Sequence, residues 1–180
     1  MALATKTLYV LSGLPFSGKT TVAKKLMEEN DALLIERDRF LESINTEQVS
    51  RARIAEHAAR ITEPVSKLGK TKQENAWNDA LTLEYVGRVR EAIKHTDKPV
   101  VIVDGTHLQP LSRSFIRGLD GWRKIAIPVP TDAETCITRF LGAKTSGIRL
   151  TITPELIRNL AQVYEAPTES EGFDEIRTFG

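Results

Sequence analysis

The densest cluster of chemically useful residues lies between Gly13 and Thr20. Gly13-Leu14-Pro15-Phe16-Ser17-Gly18-Lys19-Thr20 fits the spacing G-x-x-x-x-G-K-[ST] at every fixed position. That spacing suits a phosphate. Gly13 and Gly18 give the chain conformations that a side chain would obstruct, and Lys19 can reach β- and γ-phosphate oxygens. The Thr20 hydroxyl can ligate Mg²⁺. Pro15, Ser17 and Thr21 belong to the same nucleotide-binding stretch. A fortuitous glycine turn is the alternative, and the context speaks against it: an apolar run precedes the loop and a helix-like run follows.

A second group of candidates follows later strand-like runs. Asp104 closes "PVVIVD", where a carboxylate can support a metal's water shell beside the loop, or simply form a turn. Thr106 and His107 come next, able to hydrogen-bond phosphate or substrate, or to be satisfied loop residues. Asp38 stands in "LLIERDRF". A carboxylate there can take the proton of an attacking hydroxyl and orient it towards the γ-phosphate; its competing role is a helix N-cap. Arg37 and Arg39 flank it, one to hold substrate phosphate or both as solvated surface cations. Phosphoryl transfer also needs positive charge on oxygens that become more negative, and Arg139 is the leading candidate. Lys144 and Arg149 lie in a glycine-flanked connection, 142–153, that can close as a lid. Arg113 can bind substrate or brace the site.

These residues need a scaffold that brings them to one edge. Short apolar runs at 8–12, 32–36 and 99–104 predict buried strands, with a fourth at 124–129. Helix-like runs cover 19–29, 76–94, 111–119, 133–141 and 154–164. Alternating β and α segments of this kind predict a parallel sheet of four to five strands between two helical layers, a three-layer α/β/α domain. The carboxyl ends of its strands share an edge with the phosphate loop, so Asp38, Asp104 and Lys19 converge there.

At 180 residues the chain is sized for one domain, 1–180. No apolar run approaches the roughly 20 residues that span a bilayer, no signal-peptide pattern is visible, and a single cysteine suits a reducing compartment. A soluble cytoplasmic protein with no membrane partner is expected. The formal charge of +1 makes no global case for nucleic acid. His57, His95 and Cys136 show no metal-ligand spacing and receive no chemical role.

The phosphate loop, "ERDRF", "VVIVDGTHLQPLSR", "TRF…GIRLTITPELI" and the terminal "YEAPTESEGFDEI" together resemble the polynucleotide-kinase and zeta-toxin group of P-loop kinases, across most of the chain. The resemblance implies an adenylate-kinase-like P-loop NTPase core, ATP with Mg²⁺, and transfer of the γ-phosphate to a hydroxyl. It implies Asp38 as base, Lys19 and Thr20 at the phosphates, and Arg139 in the lid. The segment 167–176 resembles a recurring end of these kinases that packs beside the nucleotide. Two positions depart from the group. Asp104-Gly105-Thr106-His107 stands where Asp-x-Thr-Asn is frequent, and the arginine that phage polynucleotide 5′-kinases carry just after the base is replaced near Leu41. Both point away from a plain 5′-end kinase. Other relatives phosphorylate hydroxymethyl groups on DNA bases, sugars, antibiotics or nucleotide-linked sugars.

Residues 46–75 form a long excursion, read as a substrate-facing cap or an ordinary insertion. Arg51, Arg53, Arg60, Lys67, Lys70 and Lys72 outnumber its acids between Ser50 and Lys72, and Trp77 follows. Such a surplus can track a phosphate backbone, with Trp77 for base stacking or as core. The expected function is therefore an ATP-dependent kinase acting on a hydroxyl of DNA, RNA or a nucleotide-like acceptor. A small-molecule kinase for a nucleoside, sugar or antibiotic is the second reading. A nucleotide-dependent switch or binding module is the third; no N-K-x-D guanine signature is present, and Asp38 would then have no catalytic purpose.

Overall fold

Every second residue of the central strands faces the same helical layer, as the two-residue period of a strand requires. Leu8, Val10, Val101, Val103 and Ala126 pack on one side against Tyr85, Val86, Val89 and Ile93. Leu11, Ile102, Ile125 and Ile127 pack on the other against Val22, Ala23 and Leu26. Both faces are therefore covered, which is why these strands read as continuous apolar runs rather than as alternating ones. Each fully buried Leu or Ile here contributes about 1.5–3 kcal/mol relative to exposure.

A computed structural model of the chain describes residues 6–143 and 152–179. The strands are β1 (Lys6–Ser12), β2 (Ala32–Glu36), β3 (Val100–Asp104), β4 (Trp122–Pro128) and the short β5 (Glu175–Ile176). They form one parallel sheet in the order β2-β3-β1-β4-β5. The three-layer α/β/α architecture expected above is the one observed. Helix α1 (Lys19–Glu29) follows β1 through the phosphate loop, and α2 (Arg37–Thr46) follows β2 directly. Then come α3 (Gln48–Arg60), α4 (Lys72–His95), α5 (Pro110–Arg113), α6 (Ala133–Ala143) and α7 (Pro154–Gln162). The connection from β1 runs outward past β3 to β2, and the one from β3 runs back past β1 to β4, so the strand order reverses between β3 and β1, and the crevice at their carboxyl ends is where such sheets bind ligands. No described helix is long and apolar enough to cross a membrane.

Several elements differ from expectation. Helix α4 begins at Lys72 rather than 76, because Thr71 and Glu74 form a capping box: the Glu74 N–H donates to the Thr71 hydroxyl at 3.1 Å and the Thr71 N–H to the Glu74 carboxylate at 3.2 Å. The run 111–119 is only one helical turn, α5, followed by a 3-10 turn at Ser114–Ile116. Gly118 and Gly121, at φ 70° and 79°, bend the chain out of helix before β4. The excursion after Thr46 contains α3, which packs on α2 and α4 around Ile44, Ile54 and Ala80, and a non-helical stretch from Ile61 to Thr71. Trp77 packs against that cluster, taking a core role. Lys144 and Arg149, with most of the expected lid, lie outside the described residues.

Candidate active site

Between β1 and α1 the phosphate loop borders a cleft of about 820 Å³ at the carboxyl edge of the sheet. Its backbone needs glycine at two points. Gly18 has φ 107°, and a Cβ on Gly13 (φ 151°) would sit 2.7 Å from the Val129 carbonyl oxygen. The loop carbonyls are held by side chains. Lys19 Nζ donates to the Leu14 carbonyl at 2.6 Å, Arg139 Nη1 to the Phe16 and Ser17 carbonyls at 3.1 Å each, and the Thr131 hydroxyl to Ser17 at 3.1 Å. The Thr21 and Val22 N–H groups donate to the Gly18 carbonyl at 3.0 and 3.3 Å, whereas the Lys19 and Thr20 amides that open α1 have no helical carbonyl behind them, so the helix end presents donors to an anion.

Charge in the cleft is poised for a ligand. Lys19 is 7 % exposed and, among the described residues, has no carboxylate in ion-pair contact. Burial pulls its ammonium down to about 8, with Asp104, Cys136 and Asp38 each pulling it back up. The Asp104 carboxyl is pushed up by burial, held back by Lys19 and the Thr20 hydroxyl, and pushed further by Asp38 and Glu36. Burial thus outweighs the mutual attraction of Lys19 and Asp104 for both groups. A phosphate beside Lys19 and a cation beside Asp104 would each restore the charged form.

Thr20 Oγ1 donates to Asp104 Oδ2 at 3.1 Å. Two hard oxygens this close fit Mg²⁺, which takes one or two protein oxygens and completes its shell with phosphate and water. Among the described residues no group of three or more His, Cys, Asp or Glu side chains could hold a metal.

Asp38 lines the same cleft, at the second position of α2, so Glu36 rather than Asp38 occupies the N-cap. A carboxylate in a helix's first turn is favoured by the positive end of the helix. Arg37 lines the cleft beside it, and Arg39 does not: its Nε pairs with Glu36 Oε2 at 2.6 Å and its side chain is 82 % exposed. Register explains the grouping. Glu36 is paired with Asp104 across β2 and β3, so the first residues of α2 start level with the metal-side carboxylate.

Thr106 lines the cleft, and its carbonyl accepts the Gly13 N–H at 2.9 Å. His107 and Arg113, expected among substrate-binding residues, are both fully buried and do not line it. His107 Nδ1 donates to the Leu11 carbonyl at 2.5 Å, which leaves Nε2 to accept the Tyr85 hydroxyl at 2.8 Å. The ring is therefore neutral, and burial pulls its pKa down to about 3. Its backbone, at φ 39°, occupies a region that His and Asn tolerate better than most residues, which accounts for His where the resembling group often has Asn. Gly105 makes room for it, since a Cβ there would lie 2.9 Å from His107 Cε1. Arg113 takes the bracing alternative: it binds Glu171 with two hydrogen bonds of 2.8 Å and donates to the His107 and Glu165 carbonyls at 2.7 and 2.9 Å.

The His107 arrangement predicts acid sensitivity. The unfolded chain takes up a proton below about 6.5 that the folded chain resists until about 3, so stability falls as pH drops through that window. At pH 5 this costs on the order of 2 kcal/mol. His107→Gln should flatten the dependence of urea midpoints between pH 7 and 5; an unchanged slope would show that another group titrates.

Sequence reasoning missed Tyr85, whose ring lies under Arg37 with Cζ 5.8 Å from its centroid, because its partners are remote in the chain. It also missed Phe179, which lines the cleft, while Ile152 lines it from within the expected lid segment 142–153. No local spacing signals Tyr85 or Phe179. Among the described residues, none of 46–75 lines the cleft.

Comparison with known proteins agrees with this architecture. A gluconokinase from Sinorhizobium meliloti 1021 superposes with a TM-score of 0.55 at 15% identity, covering 98% of this chain and 83% of that one. A shikimate kinase from Acinetobacter baumannii, solved in complex with shikimate, gives 0.53 at 18% identity, covering 99% of this chain and 87% of its own. Likeness at these identities is likeness of fold. No curated protein sequence matches the chain. The profile of the AAA_33 family, described as an AAA domain, matches residues 8–167. With a phosphate loop at the carboxyl edge of a 2-3-1-4-5 parallel sheet and a match over most of its length, the chain belongs to the AAA_33 family of P-loop proteins.

Proposed function

We propose that the protein is an ATP-dependent phosphotransferase that moves the γ-phosphate to a hydroxyl of an acceptor, with Asp38 as general base. One observation carries the reading: the Asp38 carboxylate shares a single cleft with Lys19, Thr20 and Asp104. A switch needs the last three; a kinase also needs a proton acceptor next to them. Asp38 takes the acceptor's hydroxyl proton as that oxygen bonds to the γ-phosphorus, while the bond to the β–γ bridging oxygen breaks and ADP leaves. Lys19 holds phosphate oxygens through the transfer. Arg139 anchors the loop and faces the cleft, adding positive charge. Thr20 and Asp104 would hold Mg²⁺, which supplies neutralising charge on the phosphate oxygens when bound. Arg149 remains a proposed lid contributor.

For the acceptor we favour a small hydroxyl compound over a polynucleotide. Of the excursion's basic surplus Arg53 is paired with Glu84 of α4, and no described residue of 46–75 lines the cleft. Labelled ATP offered to sugars, hydroxy acids, nucleosides, RNA, 5′-hydroxyl DNA and hydroxymethylated DNA tests both parts. Label should appear on a small acceptor, with little change between 50 and 200 mM salt. A polynucleotide acceptor held by several phosphate contacts would lose roughly 10³-fold or more in affinity over that range, and that result would overturn the small-acceptor reading. Label on no acceptor, despite Mg·ATP binding, would remove the kinase assignment in favour of a switch.

A further inference from the structure

We infer that Arg37 receives an oxyanion of the acceptor, a carboxylate or a phosphate, so that the site selects acidic hydroxyl compounds over neutral ones. The inference deepens the proposed phosphotransfer reading and rests on it for the word acceptor.

Arg37 is the first residue of α2, adjacent to Asp38, and lines the same cleft. Among the described residues its guanidinium has no carboxylate in ion-pair contact; its neighbour is the Tyr85 ring. That ring is a fixed platform. The Tyr85 hydroxyl is tied to His107 Nε2, and the ring is stacked on His107, tilted against Phe40 and edge-on to Phe115. The Arg37 stem is also closely packed, since a Cβ on Gly105 would lie 3.0 Å from Arg37 Cβ. A cation on an aromatic face gains on the order of 0.5–2 kcal/mol, less than a paired and hydrogen-bonded anion supplies, so the five-donor fork is held in place and left with donors to spare. Burial accordingly pulls its pKa below the usual arginine range.

Arg39 makes the contrast. It is two residues on, paired with Glu36 and turned to solvent. Its pairing also reduces the negative charge at this end of the cleft, where Glu36, Asp38 and Asp104 would otherwise repel an acidic acceptor. Arg37 alone among the two flanking arginines is positioned to offset that repulsion while the acceptor's hydroxyl stays with Asp38.

The test measures binding by calorimetry with Mg²⁺ and a non-hydrolysable ATP analogue bound to the 180-residue chain. Its ligands are matched pairs: sugar phosphates and sugars, hydroxy acids and their methyl esters, with an oligonucleotide bearing a 5′-hydroxyl. The wild type should bind at least one acidic member about tenfold or more tightly than its neutral partner, the value of one charge-assisted contact. Arg37→Gln should lose that discrimination and Arg37→Lys keep part of it, with affinity for the ATP analogue held within about twofold in both. Unfolding midpoints confirm that each variant is folded, and in transfer assays the loss should fall on acceptor KM rather than kcat. Equal binding of acidic and neutral partners, binding of none of the small compounds, or a loss of nucleotide rather than acceptor affinity in Arg37→Gln would overturn the inference. Preference for phosphates or for carboxylates identifies which oxyanion is read. Arg37-dependent binding without transfer of label would remove the kinase reading and leave the oxyanion site; transfer indifferent to Arg37 would do the reverse.

Discussion

Asp38→Asn is expected to lower phosphoryl transfer by roughly 10²- to 10⁴-fold while leaving nucleotide affinity within about a factor of two. The substitution keeps the volume and shape of the side chain at the second position of α2 and removes only its capacity to take a proton. Lys19 and the Thr20–Asp104 pair remain, so the groups assigned to the triphosphate are untouched. The secondary electrostatic effects partly offset one another. Asp38 helps keep Lys19 protonated, yet its charge also raises the Asp104 carboxyl, and losing it moves the two in directions with opposed consequences for Mg·ATP. The loss should therefore appear in kcat and kcat/KM alike, the pattern of an interaction made only in the transition state. Single-turnover transfer and equilibrium binding of an ATP analogue measure the two quantities separately. Turnover at the wild-type rate would remove Asp38 as the base; equal loss of ATP binding would recast it as a nucleotide ligand.

The second large effect concerns stability rather than chemistry. Arg113→Ala should cost about 3–5 kcal/mol, because it removes the cation paired with the largely buried Glu171 carboxylate, which keeps the Thr168 N–H, and takes one donor from each of the His107 and Glu165 carbonyls. At 0 % and 11 % side-chain exposure the pair is one the solvent screens little. The consequence reaches the site through His107, whose ring meets Leu11 and Tyr85 and whose carbonyl also accepts the Ser12 hydroxyl at 3.1 Å. Arg113 thus ties the turn at Glu169–Glu171 to the strand that feeds the phosphate loop. Urea or thermal unfolding reads the loss, as a fall in midpoint of roughly 10 °C. Arg113→Lys keeps the charge without the two-point fork and should fall between the two. Loss below 1 kcal/mol in Arg113→Ala would show that the remaining groups find water or new partners.

Several parts of this protein were legible because they depend on neighbours in the chain. The phosphate loop is one: its glycines, Lys19 and Thr20 take their roles from spacing alone, and a strand before and a helix after are enough to aim them. Runs such as 99–104 announce strands buried on both faces by their unbroken apolar character. The placement of Asp38 and Asp104 followed from one further rule, that parallel strands end on a common edge, and the Glu36 to Asp104 register realises it. The capping box at Thr71 and Glu74 was equally local, and it lies inside the excursion 46–75, read as a substrate-facing cap or an ordinary insertion. Its signal was present and unused.

Other assignments had no local signal. Arg37, Arg39 and Arg113 are alike as residues, and the sequence leaves all three as candidate substrate cations. Their fates diverge through partners that lie far off in the chain or face another way: Tyr85 beneath Arg37, Glu36 beside Arg39, Glu171 across from Arg113. His107 follows the candidate metal residue by three positions, yet a left-handed backbone turns it into the core. The basic residues of the excursion looked like one surface until carboxylates from α4 and from their own neighbourhood met three of them. By itself, then, the sequence determined that a phosphate loop opens the first helix of a parallel α/β sheet and that carboxylates end the next strands, because spacing and periodicity act over a few residues. Only the tertiary structure decided which cations face the cleft and which are consumed in pairs, because Tyr85 and Glu171 reach Arg37 and Arg113 from distant segments, and even the near partners Glu36 and Glu56 are chosen by which way the folded side chains turn.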